Sequence, residues 1–181
     1  TYTLEGRRIS HSIAVRNTGK GTLRFGFGYH PGFALPFDDA HTAEDYDVVF
    51  DTIESPLCLN TAPNGLVCAS PDYYLARNVD RIPLSAKLFA HDSHCMVNLK
   101  SKTMAVVERD TGRRIVVDIA DFPYTLIWST PQEPMRFICI EPWHSIPSED
   151  NGPIEWEKKP CAASLAPNEM WQTTLNMTFE R

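Results

Sequence analysis

Short segments of alternating apolar and polar residues recur along the whole chain, and this pattern constrains the fold more than any other feature. In segment 171–179, for example, Leu175, Met177 and Phe179 alternate with polar residues. Such a period of two is typical of a half-buried strand, and segment 8–16 approximates it as well. No segment shows three turns of helical periodicity. Proline, at 14 of 181 residues, exceeds the average of about 5% and suits strand ends and loops. The sequence therefore predicts an all-β fold, an antiparallel β-sandwich.

The predicted strands are separated by turns or by longer connections. They cover 8–16, 22–29, 47–50, 95–99, 104–108, 114–119, 124–129, 136–141 and 171–179. The turn signal at 17–21 predicts that the first two form a hairpin. Segment 54–83 contains four prolines and is predicted to have little regular structure, while 84–89 is either one helical turn or a strand entry. No internal repeat or linker appears, so residues 1–181 are predicted to form a single domain.

Composition excludes several classes of partner. The formal net charge of -6 and the pI near 5.5 argue against binding to nucleic acid or to an anionic membrane surface. No apolar run approaches the roughly 20 residues that span a bilayer, and no signal-peptide pattern is present. The five cysteines are an odd number, widely spaced and without a Cys-x-x-Cys pair; they are Cys58, Cys68, Cys95, Cys139 and Cys161. This pattern predicts free thiols in the cytoplasm, with neither a disulfide framework nor a zinc site.

Two short motifs each place one titratable side chain among aromatic residues and prolines. His30 lies in the motif GYHPGF at 28–33, and Glu141 lies in ICIEPW at 138–143. A histidine and a carboxylate facing each other across a pocket can move protons on a substrate without a metal or cofactor. Simpler interpretations remain open: a structural or exposed His30, and a Glu141 that pairs with Arg136 or faces water.

Together these motifs resemble the aldose 1-epimerase (galactose mutarotase-like) family, above all its bacterial branch, which carries a His-Pro-Gly-Phe turn and a Cys-Ile-Glu-Pro-Trp strand end. The resemblance extends over nearly all 181 residues but matches only the second half of a longer family domain. It implies a mutarotase-like supersandwich that is incomplete at its N-terminus. The absent half normally supplies an Arg and another His, so the chain alone is expected to bind sugar weakly. It is also expected to associate with itself or with the missing N-terminal segment.

The same resemblance implies a mutarotase that interconverts the α and β anomers of a hexose without a cofactor. It assigns the catalytic acid to His30 and the catalytic base to Glu141, which predicts a bell-shaped pH profile. Trp143 is expected to form a stacking platform for the sugar. Asp92 is expected to bind sugar hydroxyls, although a surface aspartate is an equally good interpretation of its loop.

Other functions remain as alternatives. The runner-up is a non-catalytic carbohydrate-binding module or an inactive fragment of such an enzyme. An epimerase of sugar phosphates would require clustered basic residues, and the arginines of this chain are scattered. His91 and His94 flank Asp92 but lack further ligands nearby in sequence, so no metal site is predicted. His144 could line the site, although exposure is the simpler interpretation. Trp128 could form a wall of the pocket or belong to the core, and the core is the more common place for such a residue.

Overall fold

The strands of the protein form antiparallel sheets, in agreement with the predicted fold class. The computed structural model describes residues 1–61, 64–68, 72–159 and 162–181. The strands are β1 (Tyr2–Glu5), β2 (Arg8–Arg16), β3 (Leu23–Phe25), β4 (Gly32–Ala34), β5 (Tyr46–Glu54), β6 (Leu57–Leu59), β7 (Tyr73–Tyr74), β8 (Val79–Pro83), β9 (His94–Val97), β10 (Thr103–Glu108), β11 (Arg114–Asp118), β12 (Tyr124–Trp128), β13 (Phe137–Trp143), β14 (Ala163–Leu165) and β15 (Met170–Glu180). Two short 3-10 helices span Ala43–Asp45 and Ala86–Phe89. None of the helices in the described ranges has the length and apolarity needed to cross a bilayer.

Two large sheets pack face to face around one apolar core. The seven-stranded sheet has the order β1-β2-β15-β11-β10-β5-β8, and the six-stranded sheet has the order β4-β13-β12-β9-β6-β7. Because successive side chains of a strand point to opposite faces, each inner strand sends every second residue into the core. Val48 and Phe50 of β5 meet Ile138 and Ile140 of β13 in this core cluster. The period of two seen in the sequence is therefore the period of burial.

The predicted strand positions are mostly confirmed, and the regions of mixed polarity are where the predictions were wrong. Segment 54–83 was predicted to be irregular, yet it contains β6, β7 and β8. These strands are only two to five residues long, too short for alternation to be recognised. Segment 84–89 resolves as the 3-10 turn Ala86–Phe89.

The predicted hairpin between 8–16 and 22–29 is wrong. β2 pairs with β1 and β15, whereas β3 covers only Leu23–Phe25 and pairs with β14. The chain leaves the seven-stranded sheet after β2. Beyond β3 it runs beside the end of β13, where Gly28 forms an isolated bridge with Trp143. This departure carries the first sequence motif to the second one.

The described cysteines Cys58, Cys68, Cys95 and Cys139 are free thiols, as predicted. Cys161 lies outside the described residues. Burial raises the pKa of Cys58, Cys95 and Cys139 to about 12, so these thiols are protonated at neutral pH.

Candidate active site

Glu141 reaches the site because of its place in the alternation of β13. Ile138 and Ile140 point into the core between the sheets, so Cys139, Glu141 and Trp143 point to the opposite face of the six-stranded sheet. That face is covered as well, because only 2% of the Glu141 side chain is exposed. A carboxylate in such a position is energetically unfavourable unless it is paired or has a function.

His30 is delivered to the same place by the segment that runs beside β13. The amide of Tyr29 donates to the carbonyl of Pro142 over 3.0 Å, and the indole N–H of Trp143 donates to the carbonyl of Tyr29 over 3.0 Å. A Cβ on Gly28 would lie 2.5 Å from Cγ of Trp143, closer than packed atoms allow, so only glycine permits this approach.

The two titratable groups lie side by side. Nε2 of His30 is 3.4 Å from Oε2 of Glu141, with 55% of the histidine side chain exposed. The His30 ring meets the ring of Trp128 edge to face, with centroids 6.0 Å apart. A buried carboxylate and a solvent-reaching imidazole thus share one edge of the site.

The environment of Glu141 makes its carboxylate a strong base. Burial, together with the negative charge of Asp92, raises the pKa of Glu141 to about 8, against a smaller opposing effect of the Trp143 indole. Among the described residues that line the site there is no arginine or lysine to offset this charge. A base with a pKa near neutrality is well matched to proton transfer at physiological pH.

His30, Glu141 and Asp92 lie at the surface of a small cleft. Its volume is about 200 Å³, and the described residues that line it are His30, Gly65, Asp92, Ser93, Leu126, Trp128, Glu141, Trp143 and Pro147. This is below the range of about 300–1,000 Å³ of drug-sized sites, and it suits a small ligand. Two loops form part of the rim and are tied together, because the amide of Val67 donates to Ser148 over 2.9 Å and the amide of Asp150 donates to Val67 over 2.7 Å.

Asp92 approaches the cleft from the loop after the Ala86–Phe89 turn. Its amide donates to the carbonyl of Phe89 over 3.1 Å, and its carboxylate accepts from the amide of Ser93 over 2.8 Å. Its φ of 83° lies in the left-handed region, which aspartate tolerates better than most residues. A left-handed aspartate facing a cleft often marks a functional position.

The structure brings together all four residues singled out from the sequence: His30, Asp92, Glu141 and Trp143 line one cleft. Their catalytic and binding roles stay predictions.

Sequence reasoning missed other parts of the cleft. For Trp128 the core was favoured over a wall of the pocket, and the structure supports the second alternative, because Trp128 is half-buried and lines the cleft. Cys139 was not considered for the site, although the period of two around Glu141 places it on the same face. Gly65 and Pro147 lie in loops without a motif, and no local signal identifies them.

The remaining histidines lie outside the cleft. His144 was predicted to be exposed, but it is half-buried between Phe122 and Trp171, with centroids 4.6 and 5.0 Å away. Both ring nitrogens of His94 have partners at 2.7 Å, the Tyr73 hydroxyl and the Leu88 carbonyl. Because the carbonyl can only accept, the proton of His94 sits on Nε2, and neither nitrogen is available to a metal.

Two groups of potential metal ligands occur among the described residues. His30, Cys139 and Glu141 form one, and Asp38, His41 and Glu108 form the other; within each, the ligand atoms lie within 4.8 Å of one another. The second group also contains Arg113, whose guanidinium donates to both carboxylates.

Comparison with known proteins supports the resemblance that the motifs indicated. No family model matches the chain. Its sequence is 29% identical over 181 residues to the LacX proteins of Lactococcus lactis subsp. lactis, covering 98% of this chain and 60% of theirs. A galactose mutarotase related enzyme from Lactobacillus acidophilus superimposes with a TM-score of 0.89 at 25% identity, over 99% of this chain and 60% of its own. A galactose mutarotase-like protein from Lactobacillus casei gives a TM-score of 0.83 at 22% identity, over 99% of this chain and 61% of its own.

The chain is thus a β-sandwich protein in which a histidine and a buried glutamate lie side by side at a small cleft. Its fold is that of the galactose mutarotase-like proteins, which confirms the resemblance to the aldose 1-epimerase family. The chain spans 60% of the length of the curated relatives that it matches.

Proposed function

We propose that the cleft binds an aldose and interconverts its α and β anomers, with Glu141 as the base and His30 as the acid. The observation that carries this proposal is the 3.4 Å spacing between Nε2 of His30 and Oε2 of Glu141. In a cyclic aldose, the anomeric hydroxyl and the ring oxygen are bonded to the same carbon. Two groups that serve these oxygens must therefore lie side by side, as this pair does.

The reaction needs only proton transfers. Glu141 takes the proton of the anomeric hydroxyl while His30 gives a proton to the ring oxygen, and the bond between that oxygen and the anomeric carbon breaks. The free aldehyde turns about its first carbon–carbon bond. The oxygen then attacks the other face of the carbonyl, and the two residues exchange roles.

The rest of the cleft fits this chemistry. The partly buried rings of Trp128 and Trp143 offer apolar faces against which the C–H groups of a sugar can pack, and Asp92 offers a carboxylate for its hydroxyls. Since the described lining residues include no arginine or lysine, a neutral sugar is a better candidate than a sugar phosphate.

The test is polarimetry of freshly dissolved α-glucose and α-galactose with the natural polypeptide that carries these 181 residues. We expect mutarotation faster than in buffer. His30→Gln should remove most of the gain, about 100-fold or more, because the amide cannot supply the proton. His91→Gln is the matched control, because His91 is exposed and outside the cleft lining.

A second measurement separates catalysis from binding. Saturable sugar binding, followed by chemical shifts of the indole N–H groups, combined with mutarotation no faster than in buffer would identify a carbohydrate-binding module. Equal losses in both variants would refute the acid role of His30.

A further inference from the structure

Cys139 gives the cleft a third potential ligand that the proposed proton transfers do not use. Its sulfur lies within 4.8 Å of the ligand atoms of both His30 and Glu141. Alternation along β13 points Cys139 and Glu141 to the same side of the sheet, and His30 reaches that side from the neighbouring segment. The thiol is buried beneath the two catalytic candidates and next to Gly32, where an added Cβ would lie 3.5 Å from the sulfur.

The spacing of the three ligand atoms suits a tetrahedral ion. In tetrahedral zinc sites, bond lengths of about 2.0–2.3 Å place nitrogen and oxygen ligands about 3.4 Å apart, and sulfur about 3.6 Å from either. The 3.4 Å between His30 and Glu141 already matches. The sulfur, within 4.8 Å of the other two ligand atoms, needs to approach each of them by at most about 1.2 Å to reach this spacing. A rotation about the Cα–Cβ bond of Cys139 can supply a movement of this size.

The charge of the site also favours a dication. A thiolate and a carboxylate together neutralise a divalent cation, and the described cleft lining provides no arginine or lysine that would repel it. Soft sulfur with nitrogen and one carboxylate oxygen is a donor set typical of zinc. The open cleft leaves the fourth position to water.

The second group of potential ligands shows what excludes an ion. There, Arg113 donates to Glu108 over 2.7 Å from two of its nitrogens and also contacts Asp38, and His41 bonds Asp38 over 2.6 Å. The carboxylates are already neutralised, and a metal would have to displace a guanidinium. Among the described residues, Glu108 of the second group is neutralised by a guanidinium, whereas Glu141 of the cleft group is not.

We propose that His30, Cys139 and Glu141 form a binding site for a thiophilic divalent cation of the zinc type, and that the cation and the sugar exclude each other. Binding replaces the thiol proton with a sulfur–metal bond and releases that proton to solvent. Metal binding is independent of the proposed epimerase activity. Only the expected inhibition of mutarotation by zinc rests on that activity.

The test uses Co²⁺ as a spectroscopic substitute for zinc on the natural polypeptide. We expect visible absorption typical of tetrahedral cobalt and a near-ultraviolet charge-transfer band from thiolate to cobalt, both abolished by excess Zn²⁺. Cys139→Ser should remove the charge-transfer band and weaken Co²⁺ binding by at least about tenfold, the lower bound for disturbing a metal site. Cys68→Ser, at a half-buried thiol outside this group, should leave both unchanged.

A second variant covers the case in which Cys139→Ser does not fold. His30 is largely exposed, so His30→Gln is expected to fold, and it should also weaken Co²⁺ binding by at least about tenfold. Absence of a charge-transfer band in the unmodified protein, or a band that survives Cys139→Ser, would overturn the proposal. Spectra that behave as expected without any mutarotation would support the metal site and argue against the epimerase.

Discussion

Two clusters of histidine and carboxylate occur among the described residues, and the pKa of the buried glutamate is shifted in opposite directions in the two. In the cleft, His30 faces Glu141; on the other sheet, His41 and Asp38 lie beside Glu108 at the end of β10. Glu141 and Glu108 are almost completely buried, with 2% and 0% of their side chains exposed. Burial alone would raise the pKa of both.

The difference lies in what surrounds each carboxylate. Glu108 accepts hydrogen bonds from Thr111, Tyr46 and Arg113, which outweigh burial and lower its pKa. Glu141 has the negative charge of Asp92 nearby instead, and its pKa is raised to about 8. Removing one partner of a compensated buried pair destabilises the fold, whereas an uncompensated buried carboxylate has the kind of raised pKa that clusters at functional sites. The comparison therefore supports a structural role for the Glu108 cluster and is consistent with the proposed chemistry of the Glu141 cluster.

The largest expected effects, on activity and on stability, come from replacing the buried glutamate of each cluster with glutamine. Glu141→Gln should lower the mutarotation rate about 10²–10⁴-fold, because the amide cannot accept a proton. Its free energy of unfolding at neutral pH should rise and not fall, because the raised pKa of Glu141 in the folded state is a cost at this pH that the neutral amide removes. Polarimetry and urea unfolding measure the two quantities.

Glu108→Gln should lower the stability of the protein and leave the mutarotation rate unchanged. Removing the charged partner of Arg113 in a buried pair should lower the free energy of unfolding by about 3 kcal/mol, while each folded molecule keeps its activity. Comparable losses of activity in both variants would break the distinction between the two clusters.

The pH dependence of stability provides a second test with an intermediate effect. The folded pKa of Glu141 is about 8 against an ordinary 4.5, so the folded state holds the extra proton between these values. The stability linked to this group is present below pH 4.5 and is lost as the pH rises through 8. Glu141→Gln should flatten this loss, as urea unfolding at several pH values can show.

In the cluster of His41, Asp38 and Glu108, the pKa shifts affect stability at both alkaline and acidic pH. Hydrogen bonds to Asp38 and Asp110 raise the pKa of His41 from 6.5 to about 9, so its contribution is present below 6.5 and is lost as the pH rises through 9. The pKa of Asp38 and that of Glu108 are lowered, so their contribution is lost on acidification. His41→Gln should flatten the alkaline loss and also part of the acid loss, because the hydrogen bond from His41 is the largest cause of the lowered pKa of Asp38. An unchanged profile in Glu141→Gln or in His41→Gln would contradict the assigned shifts.

The smallest expected effect concerns the wall of the cleft. Gly28→Ala would push the indole of Trp143, because the new Cβ would lie 2.5 Å from its Cγ. A displacement of about 1 Å beside His30 and Glu141 should lower kcat/KM by about tenfold to a hundredfold and shift the NMR signal of the Trp143 indole N–H. Gly21→Ala is the control, since nothing lies within 4 Å of a Cβ added at that position. Equal rates in the two variants would show that Trp143 does not position the substrate.

Much of this protein follows from the sequence alone. Alternation predicted most strand positions, because the side-chain period of a strand is a local property of the backbone. The same period puts Cys139, Glu141 and Trp143 on one face of β13. The two motifs contain His30, Glu141 and Trp143, and the family resemblance that they carry implied the fold and pointed to Asp92. All four residues line the cleft.

What only the tertiary structure decided is which segments become neighbours. Alternation in 22–29 could not show that this segment leaves β2 and runs beside β13, because either partner satisfies the same local pattern. Nor could it show that Glu108 has Arg113 beside it while Glu141 has Asp92. The charge state of a buried carboxylate depends on groups within a few ångströms in space, and in the cleft those groups come from positions 30, 92 and 141 of the chain.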